Sequence, residues 1–155
     1  MTDGAERHAM AGYVREYRDF AEAYVGRALR GADGVPEAVL RAAERRLGLR
    51  VPRALREYYL EAGRCRALNR VHNQLRSPSA LSVDDGFLVF MDENQSVVSW
   101  GVRVDQLDEE NPVVWQRNNT PPVAWYSERK RFVPFLRSLF SWYSKRGLFG
   151  PTVTG

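Results

Sequence analysis

Asp85-Gly86-Phe87-Leu88-Val89-Phe90-Met91-Asp92-Glu93-Asn94-Gln95-Ser96-Val97-Val98-Ser99-Trp100-Gly101-Val102 carries the clearest signal of two paired strands. It opens on an Asp-Gly turn signal and runs into five apolar residues, 87–91, which read as a buried strand. Residues 97–102 read as the next strand, paired to the first through a turn at Glu93-Asn94-Gln95. Asn94 suits the left-handed backbone such a turn needs, and Gln95 is placed to bond loop carbonyls. Two further short strands follow. Residues 113–116 come after the acidic turn Asp108-Glu109-Glu110-Asn111-Pro112, and residues 123–126 after Asn118-Asn119-Thr120-Pro121-Pro122. Neighbouring strands with tight connections predict an antiparallel meander of about four strands or more.

On either side of this block the period becomes helical. Met10, Tyr13, Val14, Tyr17, Ala21, Tyr24, Val25 and Ala28 recur at three- and four-residue steps, predicting one amphipathic helix stopped by Gly31 and Gly34. Pro36 and Pro52 each open a further helix. The first turns Val39, Ala43 and Leu47 inward and stops at Gly48; the second buries Leu55, Tyr58, Tyr59 and Ala62 and stops at Gly63. Residues 64–80 read as a long connection with a helical turn around 69–75. Phe132, Phe135, Leu136, Leu139, Phe140 and Tyr143 predict a last helix, with Pro134 in its first turn and Gly147 beyond its end. The layout is α+β: N-terminal helices and a C-terminal helix packed on one antiparallel sheet. The whole of 1–155 reads as one domain, with an extra helix in 1–35, a core in 36–146 and a loose tail in 147–155.

Length and charge narrow the function. A chain of 155 residues buries about 70% of its surface on folding. Hydrophobic content of 44% and charged content of 27% are those of a globular domain. No apolar run is long enough to span a bilayer, the amino terminus has no apolar signal region, and Cys65 has no partner for a disulfide. These features predict a cytoplasmic protein that does not enter a membrane. The net charge of +4 is uneven: residues 1–76 balance at +5, residues 77–128 at −7, and residues 129–155 at +6. An acidic middle repels phosphate and attracts a basic protein, which makes nucleic acid an unfavourable partner.

Three segments together resemble the SUKH superfamily (Smi/Knr-type). The first is Glu44-Arg45-Arg46-Leu47-Gly48-Leu49-Arg50-Val51-Pro52-Arg53-Ala54-Leu55-Arg56-Glu57-Tyr58-Tyr59-Leu60-Glu61-Ala62-Gly63, where Val51 replaces the commoner leucine. The second is Gly86 to Gln95 followed by Trp100-Gly101-Val102. The third is Asn111-Pro112-Val113, where many relatives carry an acid in place of Asn111. The resemblance covers about 36–140. It implies a compact α+β immunity protein that blocks a cognate bacterial toxin by direct binding, or, as with the fungal members, a regulatory interaction module.

Catalytic candidates are few. His8 and His72 are far apart, with no Cys or His at ligand spacing, so no metal and no cofactor are expected. Cys65 follows a helix stop and reads as a semi-buried small residue. Asp92 and Glu93 are neighbours on an extended segment and point to opposite faces, so they do not converge as a carboxylate pair. Trp100, beside Gly101, reads as core. Trp115 and Trp125 are divided between core and an exposed face, where tryptophan anchors binding. The candidate partner-binding set is therefore Trp115 and Trp125 as anchors, with Asp84, Asp85, Glu93, Asp108, Glu109 and Glu110 as an acidic rim for a basic, nuclease-like toxin.

Overall fold

In the computed structural model, residues 13–150 are described. Six strands form one antiparallel sheet: β1 Asn73–Leu75, β2 Ser82–Asp84, β3 Phe87–Glu93, β4 Val98–Arg103, β5 Val113–Asn118 and β6 Ala124–Arg131. β3 to β6 are the expected meander. β1 and β2 both pair with the outer edge of β3, β2 opposite Phe87–Val89 and β1 opposite Met91–Glu93. β1 replaces part of the expected connection 64–80 and β2 lies just beyond it; neither was expected, since three residues are too few to show a period of two. The helical turn in that segment, α4 (Arg66–Asn69), also lies earlier than the expected 69–75.

The helices pack on one face of the sheet. Helix α1 covers 13–20 and closes in a π-turn, Ala21–Val25. Gly26 (φ 80°) ends it by donating to the Ala21 carbonyl, so the helix stops before Gly31 and leaves Ala28 exposed. Met10 and His8 lie outside the described residues. Helices α2 (Glu37–Leu47) and α3 (Arg53–Ala62) start after Pro36 and Pro52 as expected. In α2 the centre of the apolar stripe falls on Leu40 and Ala43, with Val39 and Leu47 at its margins. Helix α5 spans Phe132–Lys145.

The core lies between this helical layer and the sheet, and it is strongly aromatic. Phe90 of β3 meets Phe132 and Phe135 of α5 edge-on, with ring centres 5.5 and 6.4 Å apart. Tyr17 of α1 packs against Tyr58 of α3 at 5.0 Å, and its hydroxyl donates to the Ala54 carbonyl at 2.6 Å. Helix α1 thus completes the core. Tyr58 donates to Asn69 Oδ1, and Asn69 Nδ2 to the Ala62 carbonyl, which satisfies the polar groups that α3 and α4 bury together. The start of the expected loose tail is tied down as well. Phe149 stacks on Tyr24 at 5.2 Å, and the Leu148 amide bonds the Tyr143 carbonyl.

Two turns set the register. Asp85 (φ 53°) and Gly86 (φ 80°) both take positive φ between β2 and β3, the geometry a two-residue hairpin requires. Between β3 and β4 the left-handed residue is Ser96 (φ 59°), not Asn94. Glu93 dictates this: its backbone carbonyl accepts the Ser96 amide and its carboxylate accepts the Gln95 amide, placing the reversal one step later.

Candidate functional site

Alternation along each strand sends one set of side chains to the helices and the other to the opposite, open face. On β4, Val98, Trp100 and Val102 belong to the core, while Ser99, Gly101 and Arg103 lie on the open face. Trp100 is buried as expected, and its indole donates to Glu128 at 3.0 Å. A side chain at Gly101 would bring its Cβ 2.8 Å from the Leu88 carbonyl and 3.4 Å from Phe87 Cβ. Glycine is therefore required where open-face aromatics from three strands close together. Phe87 of β3 stacks on Trp125 of β6 at 3.8 Å with planes 10° apart, and lies 5.6 Å from Trp115 of β5. Arg117 covers Trp125 at 5.4 Å, and Arg103 covers Trp115 at 5.9 Å.

Beside the aromatics runs a closed circuit of polar side chains. Arg76 forks onto Asp92 at 2.7 and 3.0 Å, and Ser99 donates to the same carboxylate at 2.6 Å. Asn119 donates to Ser99 at 3.0 Å and accepts from Arg117 at 2.6 Å. Arg117 faces Asp84 at 3.6 Å; Ser82 donates to Asp84 and accepts from Arg76, both at 2.8 Å, which closes the ring. Burial works to raise the Asp92 carboxyl, but the hydrogen bonds from Arg76 and Ser99 overcome it and hold the group below the ordinary carboxylate range. Asp92 and Glu93 do point to opposite faces: Glu93 turns to the helix side, into a groove of about 470 Å³ with Asn73, Trp100 and Trp142.

The remaining acidic candidates gather at one end of the sheet, where the Val104 amide bonds the Gly86 carbonyl and joins the β2–β3 turn to the segment after β4. Most of them are partnered. Glu110 holds Arg53 at 3.1 Å, Glu109 holds Arg131 at 3.1 Å, and Asp84 faces Arg117. Among the described residues, Asp85 and Asp108 make no ion pair. The structure thus brings together Asp84, Asp85, Asp108, Glu109 and Glu110 at one end and Trp115 with Trp125 on the open face. Glu93 lies apart from both.

Sequence reasoning passed over Phe87, Arg103, Arg117 and Arg76. The signal for Arg117 was present, because Trp115 and Arg117 two residues apart must share a face. Arg76 lies outside any strand, and nothing local announced it. Burial pushes the Cys65 thiol up, against thiolate chemistry there, and His72 packs edge-on against Trp142 at 5.5 Å. Among the described residues no group of His, Cys, Asp and Glu is placed to hold a metal ion, and no helix is long and apolar enough to cross a membrane. Comparison with family models, with curated proteins and with solved structures finds no match.

Proposed function

We propose that this chain is a non-catalytic binding protein of the immunity type that the SUKH resemblance implies, and that it occludes a toxin-like protein with the open face of its sheet. The supporting observation is the Phe87–Trp115–Trp125 cluster. It lies opposite the helical layer, and its two indole N–H groups are buried without an acceptor among the described residues. A buried donor left unpaired costs about 1–3 kcal/mol, a cost that an incoming carbonyl or carboxylate removes once Arg103 and Arg117 swing aside. Tryptophan and arginine are also the residue types that carry most binding energy at protein interfaces. The paired acids at the sheet end serve as a rim that steers encounter with a basic surface.

The test is co-expression with the product of the neighbouring gene, followed by affinity capture and a growth assay. Expected is one stoichiometric partner whose toxicity the protein suppresses, with Trp125→Ala weakening capture at least tenfold while the protein stays folded. Capture unaffected by Trp115→Ala and Trp125→Ala would remove the open face from the interface. Failure to capture or rescue would shift the assignment to a regulatory interaction module.

A further inference from the structure

The groove into which Glu93 turns runs along one flank of α5, on the helix side of the sheet. Its volume of about 470 Å³ lies in the range of small-molecule sites. Phe135, Leu139 and Trp142 stand at i, i+4 and i+7 on α5 and form one wall, and Val98 and Trp100 of β4 form the other. Aromatic contacts mark the two ends. Trp100 lies 6.1 Å from Phe135 at one, and His72 lies 5.5 Å from Trp142 at the other. Two turns of helix separate Phe135 from Trp142, about 10 Å along the groove.

The ends differ in charge. At the Trp100 end, Glu128 accepts the indole N–H at 3.0 Å and Lys130 lines the same space, so one carboxylate faces one ammonium. At the Trp142 end Glu93 has no such counterpart. It stands directly across from Asn73 in the β1–β3 register, so both side chains enter the groove from one face of the sheet. Glu93 Oε1 accepts the Gln95 amide at 2.7 Å; among the described residues Oε2 is neither hydrogen-bonded nor sealed from solvent. Asp33, Glu44, Glu57 and Asp92 are each gripped by an arginine, and Glu93 is not. Arg146 lies over Trp142 at 5.0 Å but does not line the groove, and it forms no ion pair with Glu93. Asn73, only 4% exposed, adds an amide oxygen without a donor, whose dipole deepens the negative field at this end.

We propose that this groove binds a small organic cation, a primary ammonium joined to a flat apolar body. The ammonium donates to Glu93 Oε2 and lies against the Trp142 ring, whose π-face attracts cations. The apolar body fills the space between Leu139, Val98 and Trp100. Two carboxylates against one lysine leave the lining with one net negative charge, which suits a monovalent cation and disfavours an anion. Aromatic walls that exclude part of the water strengthen the charge pairing. A span of about 10 Å between the ends matches one small molecule and is too short for four residues of extended chain. The proposal is independent of the partner-binding reading: Trp115 and Trp125 lie on the opposite face of the sheet, and Glu93 is no part of the acidic rim.

The test is an NMR titration of the full chain at pH 7.5, where an ordinary imidazole is largely uncharged and an alkylammonium keeps its proton. The probes are 2-phenylethylamine, the neutral 2-phenylethanol and the anion 3-phenylpropanoate, followed by the indole N–H signals of Trp100 and Trp142 and the amides of 72–73, 93 and 98. Saturable shifts confined to those groups are expected for the amine, about fivefold weaker binding for the alcohol, and none for the anion. Glu93→Gln keeps an acceptor for the Gln95 amide; it weakens the amine about fivefold and leaves the alcohol unchanged, a split that a mere loss of structure does not produce. Lys130→Ala, at an exposed position, strengthens the amine by removing a like charge. Absence of saturable shifts with the amine, equal affinity for amine and alcohol, or amine affinity unchanged in Glu93→Gln would each overturn the proposal. N-acetyl-lysinamide binding as tightly as the aryl amine would overturn the small-molecule assignment in favour of a lysine side chain of a partner protein.

Discussion

The two faces of one sheet are built by different rules. Toward the helices, Leu88, Phe90, Val102 and Val114 are fully buried against Phe132 and Leu136, and the only task of those positions is to exclude water. Toward solvent, Phe87, Trp115 and Trp125 are half-buried beneath arginines, and a ring of charged and hydroxyl groups closes beside them. The first face derives its stability from area and close packing. The second derives its from hydrogen bonds whose partners come from separate segments of chain, and it keeps polar capacity in hand. A face made only to fold has no need for unpaired indole N–H groups.

That contrast predicts unequal costs for similar truncations. Phe90→Ala removes a fully buried ring that touches two others and leaves a cavity, at a cost of about 3–5 kcal/mol. Trp125→Ala removes a larger side chain, yet one that is only half-buried, and costs about 1–3 kcal/mol. Urea denaturation of both variants measures the difference. Equal losses would show that the open face is a second core.

The two faces also differ in how much the sequence disclosed. The helix face was legible because its signals are periodic and local: apolar steps of three and four in α3 and α5, the apolar run of β3, and Trp100 beside Gly101. The open face was half legible. Trp115 and Trp125 stood out by residue type, but their stacking partner Phe87 lies two strands away from Trp115, and only the strand register reveals that Gly101 vacates the space between them. The polar ring was hidden altogether, because Arg76, Asp92, Ser99 and Arg117 are joined by pairing and not by spacing. The expected acidic rim exists as a location, but no spacing could show that arginines from α3 and β6 already hold Glu110 and Glu109.

Next in size is the ring itself. Asp92→Asn removes the charge that Arg76 grips and on which Ser99 closes, for an expected loss of about 1–2 kcal/mol at neutral pH. Because the folded-state carboxyl lies below its unfolded value, its contribution is complete above the unfolded carboxylate range and fades as pH falls through the folded value. The stability gap between the unaltered protein and Asp92→Asn is therefore constant above about pH 5 and closes in acid. A gap that persists at pH 2 would mean that the ring stabilises by shape and not by charge.

Glu57, on the helix side, supplies the opposite case and the smallest effect. Burial raises its carboxyl, and the bond from Arg53 only partly offsets that. A carboxyl raised on folding favours the folded state while protonated and loses that advantage as pH rises through the folded value. The charge it carries at pH 7 is thus a burden on stability. Glu57→Gln keeps an oxygen for Arg53 and cannot ionise, so it is expected to be neutral or stabilising by less than about 1 kcal/mol at pH 7, with the gain vanishing toward pH 4. Denaturation across pH 4–8 checks the sign. A clear loss at pH 7 would make Glu57 a structural partner of Arg53 like Asp92 with Arg76, and the two layers would then hold their buried carboxylates for the same reason.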